Sequence, residues 1–178
     1  TSARTANRAS ARASSTASAR TCLIGLPGTS LTTTRKSAAT ALAEIYYVPA
    51  PGFAPRGGDI DKQGVVWVSL GSGHLASFDR RKCKGPLNGP TATGEHCREG
   101  WSFYQYPGPG FQGIGENSAE ASYYSWVDQH NTFGLGEDVP MSTGNLNDGL
   151  IAFKDGKMIV LRVPYPLGFY AKGFDGRI

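Results

Sequence analysis

The feature that most constrains this chain is an internal repeat. Three stretches align: residues 44–53, with Tyr46-Tyr47-Val48-Pro49-Ala50-Pro51 and then Phe53; residues 102–111, with Tyr104-Gln105-Tyr106-Pro107-Gly108-Pro109 and then Phe111; and residues 159–169, with Leu161-Arg162-Val163-Pro164-Tyr165-Pro166 and then Phe169. Each is a β-branched or aromatic run that ends in Pro-x-Pro. Pro49 and Pro107 are 58 residues apart, and Pro107 and Pro164 are 57 apart. Proline brings no N–H to a ladder, so each Pro-x-Pro marks the end of a strand, an outer one.

The rest of the unit follows the same period. Asp61-Lys62-Gln63-Gly64-Val65-Val66-Trp67-Val68 aligns with Asp128-Gln129-His130-Asn131-Thr132-Phe133-Gly134-Leu135. Each reads as a strand end, a short turn closed by Gly or Asn, and a second strand. His74-Leu75-Ala76-Ser77-Phe78-Asp79 aligns with Gly149-Leu150-Ile151-Ala152-Phe153-Lys154 as the third strand. A hairpin at Lys154-Asp155-Gly156-Lys157 in one unit, and a cysteine-bearing insert in the other, lead to the fourth. Four short strands per repeat, with no helical stretch between them, predict an all-β fold of about two four-stranded antiparallel β-propeller blades. The 24 Gly and 11 Pro suit many short elements joined by tight turns. The rival is a β-sandwich with chance similarity, and the even spacing of three Pro-x-Pro strands argues against it.

Two blades cannot close a ring. Residues 44–178 are therefore expected to be a partial propeller, entering at a fourth strand near Glu44 and stopping inside a first strand near Ile178. Residues 1–43 are different. They are dominated by Ala, Ser, Thr and Arg at first, carry six cations and no acid, and show no apolar periodicity. A disordered linker or a segment translated in the wrong frame are the readings. The remaining 12 basic and 14 acidic residues leave residues 44–178 at net −2, which offers no footprint for nucleic acid. No apolar run has the length of a membrane span.

Of three cysteines, Cys83 and Cys97 share a polar Gly/Pro-rich stretch, and neither CxxC nor CxxCH occurs. A disulfide stapling that loop is the preferred reading, with two free thiols as the alternative. The bridge would imply an oxidising compartment and leave Cys22 over. The neighbouring Arg80-Arg81-Lys82-Cys83-Lys84 is read as a solvated hairpin, or else as a dock for an acidic partner.

The pattern Asp-x-x-Gly-x-Val-Trp-Val-Ser from Asp61, His-Leu-Ala-Ser-Phe-Asp-Arg from His74, and Tyr-x-Tyr-Pro-x-Pro from Tyr104 resembles the repeats of streptogramin B (virginiamycin B) lyases, and also NHL-type and SMP-30-like propellers. The resemblance covers residues 44–178 and implies a six- or seven-bladed, often periplasmic propeller. It also implies possible activities: a magnesium-dependent lyase with a His base, or a calcium-dependent lactonase or esterase. No stretch here matches the lyase constellation, so no catalytic residue is carried over, and such residues are expected outside this sequence.

In such a topology the loops after the second and fourth strands open on one face, where propellers bind ligands. That face is expected to hold residues 71–74 and two long loops, 108–120 and 137–148. They bring His74, Glu116, Glu120, Glu137, Asp138, Asn145, Asn147 and Asp148. Carboxylates with one His could hold Mg or Ca or act as an acid–base pair; acidic loops are also commonly just solvated. For His74 the preferred reading is a strand-start residue that hydrogen-bonds across its loop. His130 is expected on the opposite face, and His96 beside Cys97 is incidental. Trp67, Phe78, Trp101, Tyr123, Tyr124, Trp126 and Phe133 are expected on strands, packing between blades. The expected function is a secreted or periplasmic scaffold that binds a small molecule or a protein and joins further blades. The alternative is one of the two metal-dependent enzymes.

Overall fold

The structure, a computed structural model, describes residues 22–24, 30–33, 44–113 and 115–173. Among the described residues it is all-β, with two four-stranded antiparallel sheets, a small three-stranded sheet, and two single-turn 3-10 segments. The small sheet joins β1 (Cys22–Ile24), β2 (Ser30–Thr33) and β3 (Tyr46–Tyr47). Two strands thus fall within the first 43 residues, which the sequence reads as structureless; the rest of that segment lies outside the described residues. The first four-stranded sheet is β4 (Pro55–Ile60), β5 (Val66–Leu70), β6 (His74–Phe78) and β7 (Trp101–Gln105), in that spatial order. The second is β8 (Ser125–Asp128), β9 (Val139–Gly144), β10 (Gly149–Lys154) and β11 (Lys157–Arg162), also in chain order.

A carboxylate closes the first turn of each sheet. Asp61 follows β4, and its Oδ1 accepts the N–H groups of Gln63 (3.0 Å) and Val65 (2.9 Å), while Oδ2 accepts the Trp67 indole N–H (3.0 Å). Asp128 ends β8 and accepts the N–H groups of Thr132 (2.8 Å), Phe133 (2.9 Å) and His130 (3.4 Å). This larger cradle overturns one expectation. Asp128 folds residues 132 and 133 back over itself, and Asn131 (φ 58°) and Gly134 (φ 72°) turn left-handed. Residues 129–138 therefore form a wrapped loop, and the second strand begins at Val139 rather than Thr132. The expected long loop 137–148 shrinks to the turn at residues 145–148.

Period-two alternation sends successive side chains to opposite faces. Along β10, Ile151 and Phe153 pack toward the first sheet with Leu75, Tyr106, Trp67, Tyr104, Met158 and Val160. Leu150 and Ala152 face the other way, with Trp126, Met141 and Leu161. The opposite face of the first sheet packs Val68, Leu70, Ala76, Phe78 and Trp101 on Tyr46 and Val48. Each fully buried side chain of this size stabilises the fold by about 1.5–3 kcal/mol.

Polar ties join the two sheets. β4 and β8 lie side by side, with a parallel bridge at Gly57 and Tyr124 and a bond from Gly57 N–H to the Tyr123 carbonyl (3.0 Å). Only glycine fits there, since a Cβ at Gly57 would fall 2.0 Å from the Tyr124 ring. Between the sheets, Ser69 Oγ lies 2.7 Å from Ser125 Oγ, 2.8 Å from Ser122 Oγ and 3.1 Å from the Tyr106 hydroxyl, which donates to Ser142 Oγ (2.8 Å). All five residues are buried, and every hydroxyl finds a partner within the cluster.

The disulfide between Cys83 and Cys97 is formed, with Cα atoms 5.0 Å apart. The insert it closes grips the segment before the first sheet. Gly94 carbonyl accepts Tyr47 N–H (2.8 Å), and the His96 and Tyr46 rings are 5.0 Å apart. Arg80 forks onto Glu44 through Nε and Nη2, each at 2.6 Å, and Arg81 pairs with Asp79, while Arg81, Lys82 and Lys84 stay exposed to solvent. Closing a loop of this length is worth about 3 kcal/mol by chain entropy. Cys83→Ser combined with Cys97→Ser is therefore expected to lose about 2–4 kcal/mol in urea melts. Thiol titration of the denatured, unreduced chain should find one free thiol; three would disprove the bridge.

Candidate functional site

The turns β5–β6 and β9–β10 and the loop β7–β8 open on one face. His74 starts β6 there and is buried, its Nδ1 3.1 Å from Ser72 Oγ and its ring edge-on to Phe103. Burial pushes its pKa down, against the Ser72 hydrogen bond and the Glu116 charge, so it is held neutral as a loop brace. Glu120 is also buried. Its Oε1 accepts Leu146 N–H (3.0 Å), and its Oε2 accepts Asn147 Nδ2 (2.5 Å), which also donates to the Pro107 carbonyl (3.0 Å). Asn145 clamps two segments: Nδ2 donates to the carbonyls of Ala121 (2.7 Å) and Ala171 (3.0 Å), and Oδ1 accepts Ala171 N–H (2.8 Å). Asp148 sits at φ 51° and accepts Phe169 N–H at 3.5 Å. Glu116 is exposed. The expected polar set thus meets in part, as braces that pin residues 107, 120–121 and 169–171 around the turn at 145–148.

Glu137 and Asp138 belong elsewhere. With the second strand starting at Val139, they precede it and lie on the opposite face beside the β4–β5 turn. Lys62 Nζ pairs with Glu137 (2.6 Å), Lys62 N–H donates to Asp138 Oδ1 (3.1 Å) and Gln63 Nε2 to Asp138 Oδ2 (2.9 Å). His130 is exposed on the same loop. These carboxylates join a cleft of about 300 Å³ whose lining includes Trp67, Phe153, Lys154 and Asp155. Trp67 is committed to packing, with Tyr104 at 5.9 Å and Phe153 at 5.7 Å. Phe133, expected on a strand, instead sits in the wrapped loop, edge-on to Trp126 at 6.0 Å. Among the described residues, no three His, Cys, Asp or Glu side chains gather to hold a metal ion.

The sequence reading missed a second cluster on the loop face. Arg56 leaves β4 at the irregular register between Pro55 and Gly58. Its Nη1 donates to the Ser122 carbonyl (2.7 Å), and its guanidinium lies 4.4 Å over the Tyr123 ring. Tyr170, carried in by the Asn145–Ala171 clamp, stands 6.1 Å from Tyr123 ring to ring. A hydrogen bond from Tyr170, and then the Arg56 charge, hold the Tyr123 phenol below its ordinary pKa. Sequence spacing carries no signal for this meeting, since Arg56 and Ser122 are 66 residues apart.

The chain matches no protein-family model, no curated protein and no solved structure in the comparisons made.

Proposed function

We propose that residues 44–178 are a module of a β-propeller acting as a secreted or periplasmic binding scaffold, with its ligand, a small molecule or a protein, on the face that carries Arg56, His74 and Tyr170. One observation carries this reading. Two like-ordered sheets stand with their first strands side by side and in parallel at Gly57 and Tyr124, which is how innermost strands of neighbouring blades meet around a common axis. The disulfide supports an oxidising compartment. Among the described residues no helix is long and apolar enough to cross a membrane. Glu120, Asn145 and Asn147 spend their polar atoms on holding loops, which suits a scaffold better than a reacting centre.

The lyase and lactonase readings require a bound divalent ion. A ligand that binds only the folded state at 100 times its Kd stabilises by about 2.7 kcal/mol, a shift of several degrees. Thermal melts with millimolar magnesium, calcium or EDTA are expected to agree within about 1 °C on this scale. A rise specific to one ion and reversed by EDTA would overturn the scaffold reading in favour of a metal-dependent enzyme.

A further inference from the structure

We infer that Arg56, beside Tyr123 and Tyr170, is a receptor for the anionic group, carboxylate or phosphate, of a small-molecule ligand. A guanidinium presents five N–H donors in a rigid fork that matches both groups. Ser122 carbonyl takes a hydrogen bond from one nitrogen, and the Tyr123 ring covers one face. Ion pairs among the described residues use Lys62, Arg80, Arg81 and Arg98; Arg56 and Lys172 take part in none of them. A half-buried guanidinium with no carboxylate partner among those residues is uncommon in a segment of net negative charge, because desolvating it costs free energy that a counter-charge normally offsets.

The surroundings favour an incoming anion. Gly71 lies beside the fork, where a Cβ would meet Ala54 Cβ at 2.8 Å and Arg56 Nη2 at 3.6 Å. Asn145 fixes Ala171 through both its backbone groups, which sets the exposed Tyr170 and Lys172 on either side of a pinned residue. The Tyr123 phenol is lowered first by its hydrogen bond with Tyr170, and the Arg56 and Lys172 charges act in the same direction. Arg56, the Tyr123 ring and the Tyr170 ring thus meet on one rim of the face where the loops open, with exposed Lys172 two residues beyond Tyr170.

The test is titration of the intact chain with inorganic phosphate and with citrate, against sodium chloride at matched ionic strength, followed by tyrosine absorbance and arginine Nε–H NMR shifts. Saturable binding of at least one of them, beyond the chloride response, is expected; the tighter of the two names the ligand class. Arg56→Met should weaken it at least tenfold. Arg56→Lys keeps the charge but loses the fork, and Tyr170→Phe removes one hydroxyl while leaving the fold; each should weaken binding about three- to tenfold. No response beyond chloride, or unchanged affinity in both Arg56→Lys and Tyr170→Phe, overturns the inference. Neither result bears on the sheet arrangement or on the metal melts, so this idea and the scaffold proposal fail separately.

Discussion

Tyr106→Ala is expected to lower the unfolding free energy by about 3–5 kcal/mol. The side chain is 1% exposed and fills the space between the two sheets with Leu75 and Ile151. Its removal leaves a cavity in a packed interface and takes one hydrogen-bond partner each from Ser69 and Ser142, whose hydroxyls meet the phenol at 3.1 and 2.8 Å and keep their bonds to neighbouring serines. Tyr106→Phe separates the two contributions: it keeps the ring and should cost about 0.5–1.5 kcal/mol, the net range for a lost hydrogen bond whose partners stay bonded elsewhere. Burial raises the Tyr106 phenol above its ordinary value, with the serine hydroxyls opposing. A phenol raised on folding stabilises fully below its unfolded value of about 10, and that stability is lost as pH rises beyond it. Urea melts at pH 8 and above pH 10 should therefore show alkaline weakening that Tyr106→Phe reduces. It should not abolish it, because burial and Glu44 push Tyr46 up to about 12. An alanine variant within 1 kcal/mol of the parent would show that the interface is not packed as described.

Asp128→Ala comes next, at about 3 kcal/mol. The carboxylate is fully buried and accepts three backbone N–H groups, whose charge-assisted bonds the variant removes from the wrapped loop. Burial alone would raise its pKa, but the Phe133, Thr132 and His130 hydrogen bonds outweigh it and hold the carboxyl below its ordinary value. A carboxyl lowered on folding stabilises above its unfolded value of about 3.9, and that stability is lost as pH falls through the folded value. The variant should thus lose part of the acid sensitivity of the parent below about pH 4. It should also free Phe133 from Trp126 and red-shift tryptophan emission. If the variant melts within 0.5 kcal/mol of the parent, the loop is not held by this residue.

The first four-stranded sheet was legible almost residue by residue. Asp61, the alternation from Val66 to Leu70, and the run from His74 to Phe78 each fall where the repeat places them. In the second sheet the third and fourth strands also fall where the repeat places them, but the second strand does not, for two local reasons. Asp128-x-x-Asn131 imitates Asp61-x-x-Gly64, yet gathers a longer loop. Pro140 also argues against a strand, but it pairs only with Val127, and the ladder from β9 to β10 runs from Met141, so its missing N–H costs no bond there. Misplacing that one strand start moved Glu137 and Asp138 to the wrong face, because the face of a loop is set by which strand it follows.

By itself, then, the amino-acid order determined the strand-rich fold class, the four-strand order and the cysteine-closed insert, since each rests on contacts between neighbours in the chain. It also named most of the polar side chains on the loop face. Only the tertiary structure decided what those side chains do. Glu120, Asn145 and Asn147 became braces, and Arg56 met Tyr123 and Tyr170, because two sheets packed with Gly57 against Tyr124 bring together residues far apart in sequence. Local pattern specifies a sheet; the partners across its face are set by how sheets stack.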